Sequence, residues 1–310
     1  MGWLVAGTGP AMTARLELFL QGGLGNQLIQ LAYADSLQAR TGCRVRINPV
    51  LLHSVWSKLR SISCRERCWH WASNLPEAEG LPRQGWGLVR LYQSRLSSGA
   101  LTDRCSDAEM LQQITSTRPD AWHGLLGYFQ RHQAFGSPSK RFWSHLKQQM
   151  LKRYSLTPFP RGQVVAHVRL GDYLWPENQR LFARYSLSQQ ISDAQQWSLQ
   201  LGGSELVQLV TDDPVSLERL IAEQPSAKYE IYRGSNAEDD FLFLARHRHI
   251  VGSNSTFSLC SGRLAAELWG ETESLAIPRQ WYVDPALDMQ IQAELSQCTF
   301  ASRIDRILLP

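Results

Sequence analysis

Four short segments of this chain carry residue types that can hold a polyanion and help a leaving group depart. The first, Gly22-Gly23-Leu24-Gly25-Asn26-Gln27, directly precedes a run with helical periodicity. Missing side chains let backbone amides approach an anion at a helix start, although the same glycines serve equally well in a merely tight turn. The segment is not a P-loop, because no Lys-Ser/Thr follows, and it is a poor dinucleotide fingerprint, because Leu28 stands where the third glycine would fall. The second segment is His167-Val168-Arg169-Leu170-Gly171-Asp172-Tyr173, after a strand-like Gln163 to Val168. Strand alternation sends His167 and Arg169 to one side, at the end where a ligand sits in an open α/β sheet. A guanidinium there can grip a diphosphate and offset the charge that grows as a sugar bond breaks. The competing readings are a strand-end ion pair of Arg169 with Asp172, and a satisfied core side chain for His167.

The third segment, Thr211-Asp212-Asp213-Pro214, reads first as an acidic helix cap with proline in the first turn, and second as an acidic contact to a nucleotide. Two adjacent carboxylates are few ligands for a divalent cation, and no metal is expected. The fourth, Ser253-Asn254-Ser255-Thr256-Phe257-Ser258, places several hydroxyls ahead of a helix start, where free amides and the dipole both favour negative charge. Ordinary capping explains only one of those hydroxyls. Asn254-Ser255-Thr256 is also formally a glycosylation sequon, which has no meaning in a cytoplasmic protein.

These loops must hang on regular elements. Arg15 to Leu20 reads as a strand, Asn26 to Arg40 as a helix ended by Thr41-Gly42, and Cys43 to Ile47 as the next strand. Beyond a proline-bearing Leu156 to Gly162, the candidate interdomain linker, come strands Gln163 to Val168, Leu206 to Val210, His249 to Val251 and Ser274 to Ile277. Between them lie helices Val215 to Ala222, Phe241 to Arg246 and Leu259 to Trp269. The alternation predicts an α/β fold with a parallel sheet flanked by helices. Leu51 to Gln93, rich in Trp, Arg, Ser and Pro, shows no clean period.

Bulk properties narrow the classes. At 310 residues, 43% apolar and 19% charged, the chain suits two globular domains. A net charge of +4, with 32 basic residues spread among 28 acidic ones, does not point to nucleic acid. No apolar run approaches the roughly 18 residues of a membrane helix, and peripheral attachment to the inner face of the membrane stays open. Met1 to Ala11 lacks the basic region of an export signal. Six cysteines are too sparse for a secreted disulfide scaffold and fit a reducing cytoplasm. Cys64, Cys68 and His70, with His53 upstream, do not have a usual zinc spacing.

In order and spacing the loops resemble glycosyltransferase family 11, the α-1,2-fucosyltransferases, and more distantly the α-1,6- and protein O-fucosyltransferases. Gly22 to Gln27 with Gln30 and Tyr33 resembles that family's N-terminal motif, and Gly127-Tyr128-Phe129-Gln130 another in its first half. His167 to Tyr173 resembles its H-x-R-x-G-D-Y element, Thr211-Asp212-Asp213 its acidic loop, and Asn254 to Ser258 its N-S-T-F-S segment. The resemblance implies a GT-B fold, two Rossmann-like domains facing a central cleft, with residues 1–158 on the acceptor side and 159–310 binding the nucleotide sugar. It implies inverting, metal-independent and cofactor-free transfer of fucose from GDP-fucose to a hydroxyl of a glycan acceptor, α-1,2 to galactose. Arg169, on the diphosphate, and Asp172 would be catalytic. His167 and Asp212 would lie near the nucleotide, and Ser255 and Thr256 on phosphate with Asn254 and Phe257 beside them. Gly23, Gly25 and Asn26 would reach across from the first domain. Leu170 stands where the family has a second arginine, and Leu259-Cys260-Ser261-Gly262-Arg263 where it has a tryptophan-rich stretch. These departures keep two alternatives in view, another nucleotide sugar on the same scaffold and a non-catalytic carbohydrate-binding protein. The general base stays open between Asp172 and Asp240.

Overall fold

A computed structural model describes residues 14–53, 75–76, 100–116, 122–222, 228–270 and 274–303. The apolar β1 (Arg15–Phe19) leads into α1 (Leu24–Thr41) and β2 (Arg44–Asn48). α1 is buried at nearly every position from Leu24 to Leu37 and stops at Gly42, whose φ of 69° lets its amide return to the Gln38 carbonyl. β3 (Leu101–Thr102), α2 (Asp107–Ser116) and β4 (Trp122–Leu126) complete a parallel sheet ordered β2-β1-β4-β3. α3 (Lys140–Arg153) buries Phe142, Trp143, Leu146 and Met150, a spacing that puts all four on one face.

The second half runs β5 (Val164–Val168), α4 (Pro176–Leu181), α5 (Leu187–Gln200), β6 (Val207–Thr211), α6 (Pro214–Ala222) and β7 (Tyr229–Ile231). It continues with α7 (Ala237–Arg246), β8 (His249–Val251), α8 (Thr256–Trp269), β9 (Leu275–Ile277), α9 (Pro285–Leu295) and β10 (Ala301–Arg303). All six strands are parallel, in the order β10-β9-β8-β5-β6-β7. The chain therefore winds outward from β5 to β7, crosses back to pair β8 with the other side of β5, and winds outward again. Such a sheet opens a crevice at the carboxyl ends of the two strands where winding reverses, here β5 and β8. Among the described strands of the first sheet, β1 and β4 are likewise the central pair, although there the chain reaches the edge strand β3 before β4.

The expected α/β class is thus found as two parallel sheets. Helix starts differ from expectation, for a local reason. α7 begins at Ala237 rather than Phe241 because the Asn236 side chain accepts the Asp239 amide, and α8 begins at Thr256 because Ser255 accepts the Phe257 amide. The proline-bearing segment does connect the two sheets, but it is pinned. The Phe159 amide donates to the Arg246 carbonyl at 3.1 Å, and its ring stacks on His247 at 4.3 Å. One continuous core holds Leu16, Leu28 and Phe129 of the first half together with Val165, Val210 and Leu275 of the second. A smaller core under the other face of the second sheet takes Val164, Ala166 and Val168, so β5 is buried on both faces.

No helix among the described residues is long and apolar enough to cross a membrane. Cys43, Cys105, Cys260 and Cys298 are free thiols. Cys64, Cys68, His70 and most of the stretch from Leu51 to Gln93 lie outside the described residues, as does the side chain of His53.

Candidate active site

The carboxyl ends of strands from both sheets open on one cavity of about 810 Å³. Gly22 to Asn26 enter it after β1, Tyr128 and Gln130 after β4, His167 from the end of β5 itself with Arg169 and Asp172 just beyond it, Asp212 after β6, and Asn254 to Phe257 after β8. Every residue singled out above as catalytic or substrate-binding lines this space. So does Asp240, which follows β7.

The glycine loop is built by its neighbours. Gly22 has φ +76°, and a Cβ there would strike the Asn26 side chain. Gln30 clamps the loop from below: its amide nitrogen donates to the Gln21 carbonyl and its oxygen accepts the Gln21 amide, both at 3.0 Å. Gln27 donates to the Gly22 carbonyl at 3.0 Å. Gln27 at the end of the motif and Gln30 three residues on therefore position it. α1 is capped by Gly23, which offers no side-chain acceptor to the first-turn amides that lack intrahelical ones. Gly25 lies against the Thr256–Phe257 backbone so closely that a Cβ would overlap the Phe257 nitrogen and the Thr256 carbonyl carbon. The first turns of α1 and α8 thus meet inside the cleft, and the positive ends of two helices add there. Gly25→Ala should push the helices apart, lowering stability by about 1–3 kcal/mol and weakening pyrophosphate binding, as read by urea unfolding and anion titration. Unchanged values in both would show that the contact does not matter.

Arg169 lines the same cavity, its side chain about one fifth exposed. Its guanidinium contacts Asp172 Oδ1 at 2.6 Å and Asp212 Oδ2 at 2.7 Å, and lies 5.5 Å from the centre of the Tyr173 ring. The ion pair with Asp172 exists, and a second carboxylate joins it from β6. Asp212 also accepts the Leu170 amide at 2.9 Å, and Gly171 approaches it so tightly that any Cβ would overlap its carboxylate. Burial raises the Asp212 pKa, with Arg169 pulling the other way. Carboxylates from two separate loops fix the position of the guanidinium, which is preorganisation for an incoming group.

His167 is buried, with Nδ1 2.6 Å from Ser258 Oγ and its ring 5.1 Å from Phe257. Burial, helped by the charge on Arg169, lowers its pKa to about 3, so it meets a ligand as a neutral imidazole. Ser253 ties the β5 and β8 loops together, accepting the Arg169 amide at 3.0 Å and donating to the His167 carbonyl at 2.8 Å. Asn254 turns its amide nitrogen to the Ala183 and Trp281 carbonyls at 3.0 and 2.9 Å, so its side chain fixes two neighbouring loops at the cleft wall. Ser255 caps α8, and Thr256 takes the first helical position.

Several further residues complete the cleft wall. Tyr173, Phe182 and Tyr282 form an aromatic row with centroid spacings of 4.4 and 5.5 Å, closed by an antiparallel bridge between Phe182 and Tyr282. A bridge between residues so far apart leaves no local signal. Tyr128 and Gln130 do carry one, the resemblance of Gly127 to Gln130 to a family motif, though nothing in its spacing tells what it does. The Tyr232 to Ala237 turn after β7 also lines the cleft.

No protein-family model matches the chain, and no curated protein matches it. Among solved structures it is similar to an E. coli heptosyltransferase, WaaC, with ADP, at 13% identity over 93% of each chain and a TM-score of 0.43. It is similar to the NodZ α-1,6-fucosyltransferase soaked with GDP-fucose, at 13% identity over 81% of this chain and 92% of that one, TM-score 0.43. It is also similar to POFUT1 in complex with GDP-fucose, at 11% identity over 86% and 98%, TM-score 0.45. Likenesses at these scores assign no role to any residue of this site.

Proposed function

We propose that the chain is an inverting, metal-independent glycosyltransferase of the GT-B arrangement that moves fucose from GDP-fucose to a hydroxyl of a glycan acceptor, α-1,2 to galactose. The observation that carries this reading is the meeting of two helix N-termini, α1 and α8, in the cleft that also holds the clamped guanidinium of Arg169. Helix starts and a fixed guanidinium together suit a diphosphate that gains charge as it leaves. In this reading residues 159–310 hold the donor and residues 1–158 face the acceptor, with Gly23, Gly25 and Asn26 reaching across to the diphosphate.

The acceptor oxygen attacks the anomeric carbon from the side opposite the diphosphate. A new carbon–oxygen bond forms as the bond to the diphosphate breaks, so a β-linked donor yields an α-linked product. The bond electrons leave with the diphosphate, where Arg169 and the amides of Thr256 and Gly25 offset them. The acceptor proton passes to a cleft carboxylate, Asp172 or Asp240.

Calorimetric titration with GDP-fucose, GDP-mannose and UDP-galactose, with and without EDTA, tests the donor. NMR of the product formed on a galactoside tests the linkage. GDP-fucose should bind and react equally well in chelator. Binding of GDP-mannose or UDP-galactose in its place, or no nucleotide binding at all, would overturn the reading.

A further inference from the structure

The loop after β4 is built at a conformational expense that the donor site does not explain. Phe129 is the non-glycine residue of the described chain with positive φ, at 48°, and its ring is fully buried, stacked on Tyr33 at 4.9 Å and 8°. Such a conformation is costly and persists only where the surroundings over-determine it. They do so here. Asp103 accepts the Tyr128 amide at 2.7 Å and fills the space a Cβ on Gly127 would need. Arg131, itself buried, donates to the Tyr33 hydroxyl and to the Asp103 and Cys105 carbonyls. Turning Phe129 into the core leaves its two neighbours, Tyr128 and Gln130, on the cavity wall. Tyr128 is 43% exposed there, and Gln130 is half-buried on the same wall.

A broad aromatic face beside an amide matches the two-sided character of a pyranose. One face of such a ring carries C–H groups that suit the negative face of an aromatic, and its rim carries adjacent hydroxyls that an amide can both donate to and accept from. We infer that Tyr128 and Gln130 form the subsite for the acceptor's sugar ring, Tyr128 stacking on its apolar face and Gln130 bonding its hydroxyls. The inference rests on the transferase reading for the word acceptor. Its chemistry asks only for a neutral pyranose. Phe182 cannot supply the platform, because Tyr173 and Tyr282 already stack against it on either side.

Saturation-transfer NMR with lactose and N-acetyllactosamine in the presence of GDP tests it, with GDP affinity measured on the same samples. Wild-type protein should transfer magnetisation to the ring protons of the galactose unit. Tyr128→Ala should weaken sugar binding roughly tenfold, Tyr128→Phe should retain it, and Gln130→Ala should weaken it without loss of fold. Equal transfer in Tyr128→Ala and wild type, or no transfer from the wild type to either sugar, would overturn the subsite. Sugar binding lost in Tyr128→Ala but not in Tyr128→Phe, in a protein that shows no affinity for GDP, would uphold the subsite and sink the transferase reading instead.

Discussion

Arg169→Lys should lower turnover by roughly a hundredfold or more, the loss of about 2.7–4 kcal/mol that removing one preorganised donor brings. The cleft geometry strengthens the expectation. The guanidinium reaches Asp172 and Asp212 through its two terminal nitrogens, 2.6 and 2.7 Å away, from carboxylates on separate loops. An ammonium is a point charge without that planar fork, so lysine cannot hold both carboxylates and present an ordered edge to a diphosphate. Two effects then act together: the transition state loses a donor, and Asp212 keeps its buried position with a poorer partner. Single-turnover kinetics with GDP-fucose measures the first, and urea unfolding separates it from the second. A lysine variant turning over within a few-fold of the parent would remove Arg169 from the diphosphate.

Acid should destabilise the protein as pH falls below about 6.5. His167 and His247 are buried, and burial lowers their pKa values to about 3 and about 4. The unfolded chain binds a proton on each near the ordinary value of about 6.5. Stability from these neutral histidines is therefore complete above about pH 6.5 and drains away as pH falls toward the folded values. At pH 5 the loss is about 2 kcal/mol for each histidine, or about 4 kcal/mol together. Asp212, whose pKa burial raises, works in the opposite direction and offsets part of it. Urea midpoints at pH 7.5 and pH 5 give the test, with the double variant His167→Asn, His247→Asn as control. The wild type should lose far more stability than the control between the two pH values. Equal losses would mean that these rings are not held neutral.

Much of this site was legible because strands announce themselves. The apolar run before His167 and the acidic and hydroxyl-rich loops after later strands placed four segments at strand ends, and the sheet order then brought them together. What could not be read was partnership. Asp212 reaches Arg169 only because β5 pairs with β6 in a register that sets Val168 opposite Thr211. The Asn254 amide nitrogen donates to the Ala183 and Trp281 carbonyls, 71 residues upstream and 27 downstream, and no local pattern announces either partner. α3 and α5 went unread because each buries only a narrow stripe beneath a polar face, leaving composition no guide. The strain at Phe129 has no sequence signature at all, since phenylalanine is a residue that normally avoids it.

The shared core has a practical consequence for anyone dissecting this molecule. Because Leu16, Leu28, Val165, Val210 and Leu275 belong to one apolar body, a cut in the segment that carries Phe159 would bare oily surface on both fragments. Neither fragment is a sound choice for separate expression, however neatly the sheets divide on paper.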